Sequence, residues 1–280
     1  MFSIRPDKDT LVEKRKIIVN GRKLPILILR SGDTGPNAPG VLWIHGGGYM
    51  LGMKEMVYMS RAIDLVKKHG AVVVAPGYRL SFRAPYPAAL DDCYGALIYV
   101  KEHAVELGID PSRIIVGGES AGGGLTAAVC MKARDEGKVE VAYQMPLYPM
   151  IDNFDTETSR DNHNKIWNTR LNHLGWKLYL RKNVKADVSP YAAPARQTDY
   201  RGLPPAYTFV CTDEPFYEET LTFIDNLKKA GVEAEVDVYP GLYHAFDMME
   251  PDLEVSKEAI AKFEERFEYA CGNYFTHQEE

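Results

Sequence analysis

Short, mostly apolar runs punctuate this chain at 41–44 (Val-Leu-Trp-Ile), 72–75 (Val-Val-Val-Ala) and 113–116 (Arg-Ile-Ile-Val). They are too short for helices, and they lack the polar alternation of a strand with one wet face. Such runs predict strands of a mostly parallel sheet covered on both sides. Two further segments, at 139–147 and 206–211, and a sixth at 234–239 also read as strands. Between them, apolar residues recur at helical spacing over 55–69, 88–107, 125–133, 217–230 and 254–269. Gly70, Gly108 and Gly231 stand just past three of these segments, where a helix most often needs a left-handed residue. Near the start, 16–19 and 24–29 flank Asn20-Gly21, a dipeptide that predicts a hairpin.

Strands alternating with helices predict an α/β fold with a central, mostly parallel sheet flanked by helices. The alternation fails once, between Met150 and Arg196, where Asp, Asn, Thr and Trp take over. Because it resumes afterwards, 151–196 reads as a small cap insertion over the carboxyl ends of the strands, where open α/β sheets hold their ligands. No repeat divides the 280 residues, so one domain spanning 1–280 is expected.

A net charge of −6 with no offsetting basic cluster argues against nucleic-acid or anionic-membrane partners. Cys93, Cys130, Cys211 and Cys271 are widely spaced and form no CxxC, which disfavours a zinc site or a disulfide framework. The opening residues 1–8 contain no apolar stretch of the secretory kind, and no run approaches the length of a membrane span. A cytoplasmic protein without metal or cofactor is expected.

The chemistry centres on the run from Arg113 through Gly124, where an apolar strand enters the pattern Gly118-x-Ser120-x-Gly122 and an alanine-rich helix follows. A strand that becomes a helix within a few residues strains the residue at the bend and holds its hydroxyl next to free helix N–H groups. This is the nucleophile-elbow pattern. A serine there needs a base for its proton and donors for an oxyanion. His45-Gly46-Gly47-Gly48 follows directly on an apolar strand, and its glycines leave backbone N–H groups unobstructed. Gly47 and Gly48, with Ala121 after the serine, are the candidate oxyanion donors.

His244 lies just past the strand ending at Tyr239 and is the candidate base. His69 and His103 fall on helical segments, His163 and His173 in the insertion, and His277 in a polar tail, while His45 more simply orders its own loop. The orienting carboxylate should follow the strand at 206–211, where Asp213 and Glu214 are adjacent and chemistry alone leaves both open.

These residues stand among a longer series of ordered motifs: Tyr78-Arg79-Leu80, Pro87-Ala88-Ala89-Leu90, Gly118-Glu119-Ser120-Ala121-Gly122-Gly123, Leu203-Pro204-Pro205-Ala206 and Pro240-Gly241-x-x-His244-x-Phe246. From about Gly40 onward the chain resembles the hormone-sensitive-lipase-like carboxylesterases of the alpha/beta hydrolase fold-3 type. The resemblance implies Ser120 as nucleophile, His244 as base, and Gly47, Gly48 and Ala121 as oxyanion donors. It places the acid on Glu214, in Glu214-Pro215-Phe216-Tyr217-Glu218-Glu219, where the family usually has aspartate; Asp213 stays the runner-up. Gly77 and Ser81-Phe82 also depart from the family pattern, near the expected site mouth.

The reading is a serine carboxylesterase acting on small-molecule esters with short acyl chains. Its rivals are a deacetylase of acylated sugars, an amide hydrolase with the same mechanism, and a non-catalytic small-molecule-binding homologue. The short region before Val41 predicts a reduced cap and an open site. Met50, Met53, Met56 and Met59 read as a core stripe, and Trp167 and Trp176 as either substrate contacts or cap packing. The resemblance also implies a possible homodimer through the strand at 234–239.

Overall fold

The computed structural model describes Pro6 and residues 8–184 and 186–278. Most of the opening stretch judged above for a secretory signal therefore lies outside the described residues. One eight-stranded sheet organises the fold, in the order β1-β2-β4-β3-β5-β6-β7-β8. β1 (Thr10–Val19) and β2 (Arg22–Ser31) form the antiparallel hairpin predicted at Asn20-Gly21. β2 joins β4 (Val72–Pro76) antiparallel. From β4 through β3 (Ala38–Ile44), β5 (Ile109–Glu119), β6 (Tyr143–Leu147), β7 (Ala206–Cys211) and β8 (Ala234–Tyr239) all pairings are parallel.

The continuous apolar runs are explained by burial on both faces. Leu42, Ile44, Val74 and Val116 pack under α2 (Ala88–Glu102) and α4 (Ala121–Glu136). Their neighbours Val41, Trp43, Val73 and Ile115 pack under α1 (Ala62–His69) and α9 (Glu254–Asn273) on the other face. α7 (Tyr217–Lys229) completes the α4 side, with Phe223, Ile224 and Leu227 against Ala127 and Met131. Cys93, Cys130 and Cys211 are buried free thiols, and Cys271 is a partly buried one.

Besides the earlier starts of β1 at Thr10, β5 at Ile109 and α4 at Ala121, three segments are divided or shortened relative to the sequence reading. The segment at 55–69 is a short 3-10 helix (Lys54–Met59) followed by α1, broken at Ser60. Ser60 is extended; its hydroxyl donates to the Val57 carbonyl (3.0 Å) and accepts from the Ala62 N–H (3.1 Å), an alternative to helical pairing. The segment at 88–107 divides at His103, whose ring nitrogen Nδ1 lies 3.0 Å from the Tyr99 carbonyl. A short α3 (Ala104–Leu107) then ends at Gly108 with φ 72°. The strand read at 139–147 begins only at Tyr143, the first residue in register with β5, opposite Ile115. The methionine stripe is not uniformly core: Met50 is buried, but Met53 is 51% exposed.

The segment between β6 and β7 carries α5 (Glu157–Arg160) and α6 (Thr169–Leu180). Asn168 caps α6 by accepting from the Leu171 N–H at 3.1 Å. Trp176 and Tyr179 of α6 pack on Tyr49, with ring centroids at 5.4 and 4.1 Å. This segment is thereby fixed to the loop after β3, at the carboxyl edge of the sheet. A four-residue helix not foreseen from the sequence, α8 (Phe246–Met249), follows His244.

Candidate active site

Four strand ends converge. β3 runs into His45-Gly46-Gly47-Gly48, β5 into Ser120, β7 into Glu214 and β8 into His244. Ser120 is the bend itself, at φ 59° and ψ −121°, and α4 begins at the next residue. The end of β6 and the residues after it hold the bend: the Ser120 N–H donates to the Leu147 carbonyl (3.0 Å), and the Ser120 carbonyl accepts from the Met150 N–H (3.0 Å). Of the seven non-glycine residues with positive φ among the described residues, Tyr49, Ser120, Tyr148 and Ala245 surround this point. Strain of this kind persists where the surroundings over-determine it.

The glycines of the elbow are a requirement of close approach. A Cβ on Gly122 would lie 2.0 Å from the Ile44 carbonyl oxygen, so only glycine lets α4 start against the end of β3. Gly48, at φ 60°, faces the indole of Trp167, which a Cβ there would meet at 2.1 Å. Ala121 is the first residue of α4, so its N–H has no intrahelical carbonyl to bond.

His244 bridges the two remaining groups. Its Nε2 lies 2.9 Å from Ser120 Oγ, and its Nδ1 lies 2.5 Å from Glu214 Oε2. The other carboxylate oxygen, Glu214 Oε1, accepts from the Cys211 N–H at 3.1 Å and contacts its thiol at 3.3 Å. Ser120, His244 and Glu214 are 6%, 3% and 0% exposed. Asp213 points away: it is exposed, and its carboxylate accepts from the Thr212 hydroxyl (2.8 Å). The structure thus brings Glu214, not the runner-up Asp213, against the imidazole. The rings of Tyr148 and Phe216 stand nearly perpendicular to that of His244, each with centroids at 5.0 Å.

His45 is the ordering residue the sequence indicated. It stacks on Tyr78 at 4.2 Å, its Nδ1 meets the Gly46 carbonyl at 2.8 Å, and burial lowers its pKa to about 4. It is neutral at pH 7, and it contacts its own loop and Tyr78. Among the described residues, no group of three or more His, Cys, Asp or Glu side chains is placed to hold a metal ion. Nor is any helix there long and apolar enough to cross a membrane.

The expectation of an open site is not met. The loop between α5 and α6 lays Trp167 over Gly48, with its ring 6.5 Å from that of His244, and the tryptophan is 7% exposed. Asn162 in the same loop donates to the Asp213 carbonyl at 3.0 Å, and Lys165 sits 4.1 Å from the ring centroid of Tyr243. The reduced length of the N-terminal region carries no information about these contacts, which arise from within 151–196. Trp167 lies against the site, whereas Trp176 is packing against Tyr49.

A family model described as alpha/beta hydrolase fold matches residues 41–248, most of the chain. The chain belongs to this family. Carboxylesterase NlhH of Mycobacterium tuberculosis is 30% identical over 243 residues, covering 84% of this chain and 75% of that protein. Ethyl acetate hydrolase of Pseudomonas putida is 27% identical, covering 86% and 77%. Among solved structures, a bacterial heroin esterase superposes with a TM-score of 0.90 at 34% identity, covering 96% of this chain and 86% of that one. A Pyrobaculum calidifontis esterase gives 0.86 at 32% identity, covering 93% and 85%. With esterases recurring among its relatives and structural neighbours, this alpha/beta hydrolase is a carboxylic ester hydrolase.

Proposed function

We propose that this hydrolase is a serine esterase in which Ser120 attacks the ester carbonyl, His244 takes its proton and Glu214 orients and stabilises the imidazolium. The continuous chain Ser120 Oγ–His244 Nε2 (2.9 Å) and His244 Nδ1–Glu214 Oε2 (2.5 Å) is the observation that carries this reading. Carboxylate contact at Nδ1 selects the tautomer with an unprotonated Nε2 facing the hydroxyl. The N–H groups of Gly47, Gly48 and Ala121 receive the developing oxyanion. His244 returns its proton to the leaving alcohol, and an acyl-enzyme remains on Ser120. Water activated by the same imidazole then releases the acid.

Residues 151–196 act as the cap, and its Trp167 limits the chamber beside Ser120 and Gly48. A bulky ring at that place supports a preference for short acyl chains on small-molecule esters. The intact triad geometry weighs against a binding module without turnover. β8 forms one edge of the sheet, and pairing of two copies along it would make a homodimer. Light scattering after size exclusion tests that pairing, and a monomer rejects it.

The function is tested with a fluorophosphonate and with p-nitrophenyl acetate and butyrate. The wild-type protein becomes labelled on Ser120 and hydrolyses both esters, and Ser120→Ala loses both properties. Hydrolysis persisting in Ser120→Ala, or absence of labelling in the folded wild type, overturns the assignment.

A further inference from the structure

Behind the Ser120–His244 pair lies a second buried polar cluster that the proposed chemistry does not use. Arg61, at the start of α1, is 7% exposed, and its Nε lies 3.3 Å from Asp247 Oδ2 on α8, three residues after His244. Asp247 is 0% exposed, and its Oδ1 accepts from the Tyr148 hydroxyl at 3.0 Å. Tyr148 sets its ring nearly perpendicular to that of His244, with centroids at 5.0 Å. Glu119, immediately before Ser120, accepts from the Trp43 indole N–H at 2.9 Å and from the Arg61 backbone N–H at 3.4 Å. One residue, Arg61, therefore touches both the elbow of the nucleophile and the turn that carries the base.

We propose that Arg61, Asp247 and Tyr148 are positioning residues that hold the His244 turn at its distance from Ser120. This rests on the assignment of Ser120 and His244 as the reacting pair. An isolated buried carboxylate is costly, so Asp247 keeps its place only while paired with the Arg61 guanidinium and the Tyr148 hydroxyl. The strained backbones of Tyr148 (φ 34°) and Ala245 (φ 60°) sit at the two ends of this linkage, so the turn needs outside restraint. Glu119 makes no guanidinium contact, and burial beside Asp247 raises its pKa to about 8. Burial likewise raises the Asp247 carboxyl above its ordinary value, with the Arg61 guanidinium opposing.

The groups facing His244 are Glu214 after β7, Asp247 on α8 and Tyr148 after β6, with Arg61 and Glu119 behind them and Asp64 on the far side of Arg61 (3.2 Å).

The test compares Asp247→Asn, Arg61→Met and Tyr148→Phe in steady-state hydrolysis of p-nitrophenyl acetate across pH, with Tm measured alongside. Asp247→Asn should lower kcat roughly ten- to a hundredfold, since displacement of about an ångström at a reacting group has that scale. KM should stay within about twofold, so that the loss falls on kcat. Tyr148→Phe keeps the ring on His244 and loses only the hydroxyl, so it decides the matter if the charged-cluster variants do not fold. A lowered Tm with kcat unchanged in Asp247→Asn, or in Tyr148→Phe where the former is insoluble, overturns the proposal. Absence of fluorophosphonate labelling in the wild type would instead sink the assignment on which it rests.

Discussion

Replacing Glu214 by Gln gives a sharp test of the proposed triad, because the structure dictates how the amide must lie. Glu214 Oε1 accepts from the buried Cys211 N–H at 3.1 Å, and that donor needs an acceptor in the variant as well. The glutamine carbonyl therefore stays with Cys211, and its NH2 is turned toward His244 Nδ1. Faced with a donor, Nδ1 must become the acceptor, which puts the ring proton on Nε2, pointing at Ser120 Oγ. The base is then in the wrong tautomer, and the anion that stabilised its protonated form is gone. Both partners are buried (side chains 4% and 0% exposed), so solvent does little to replace the lost carboxylate. An orienting carboxylate replaced by its amide costs about 10⁴ in kcat in the serine-protease triad, roughly 5 kcal/mol of transition-state stabilisation. A fall of about three to four decades in kcat for p-nitrophenyl butyrate is expected here, with Tm little changed. The exposed Asp213→Asn control should stay within about twofold. Retention of a tenth or more of wild-type kcat in Glu214→Gln, or an equal loss in Asp213→Asn, would refute the reasoning.

Trp167→Ala removes the indole laid against Gly48 beside His244. The optimum in a p-nitrophenyl ester series should move to longer acyl chains, by about 1–3 kcal/mol of discrimination per methylene newly accommodated; an unchanged profile removes Trp167 from the acyl pocket. Stability should also fall as pH rises from the ordinary carboxylate range through about 8, because folded Glu119 keeps a proton that the unfolded chain has already released. Urea midpoints measured from pH 5 to 9 check this, and Glu119→Gln should flatten that part of the slope.

The parallel sheet was legible because burial on both faces leaves a direct mark: Val41-Leu42-Trp43-Ile44 is apolar throughout since its side chains alternate between two cores. Ser120 and the glycine loop could be singled out for another reason, as each follows directly on such a run, whereas His244 follows a strand in which Glu235 and Asp237 alternate with apolar residues. Helix interruptions were not. Ser60 and His103 break helical periodicity through local hydrogen bonds that leave the apolar spacing intact. The choice between Asp213 and Glu214 was open on chemistry alone, because it depends on which side chain turns inward at Pro215. Least legible were the long-range contacts. Trp167 reaches Gly48 across more than a hundred residues of chain, and Arg61 reaches Asp247 across more still, with no motif linking either pair.

Glutamate in the acid position follows from where the turn after β7 sits. The backbone N–H of Cys211, three residues before the acid, and the imidazole of His244 lie on opposite sides of the carboxylate, at 3.1 and 2.5 Å. Spanning both requires the carboxylate to reach back past its own turn. Glu214→Asp withdraws it by one carbon–carbon bond, about 1.5 Å, and the shortened group can keep one partner but not both. Released from Cys211, it leaves a buried N–H unpaired; released from His244, it no longer fixes the tautomer. Unlike glutamine, however, aspartate remains an anion and forces no wrong proton onto Nε2. The loss in kcat should then be about ten- to a hundredfold, between wild type and Glu214→Gln. Aspartate performing as well as glutamate would mean that the turn re-forms freely around a shorter acid, and that the Cys211 contact does not set the reach of the triad.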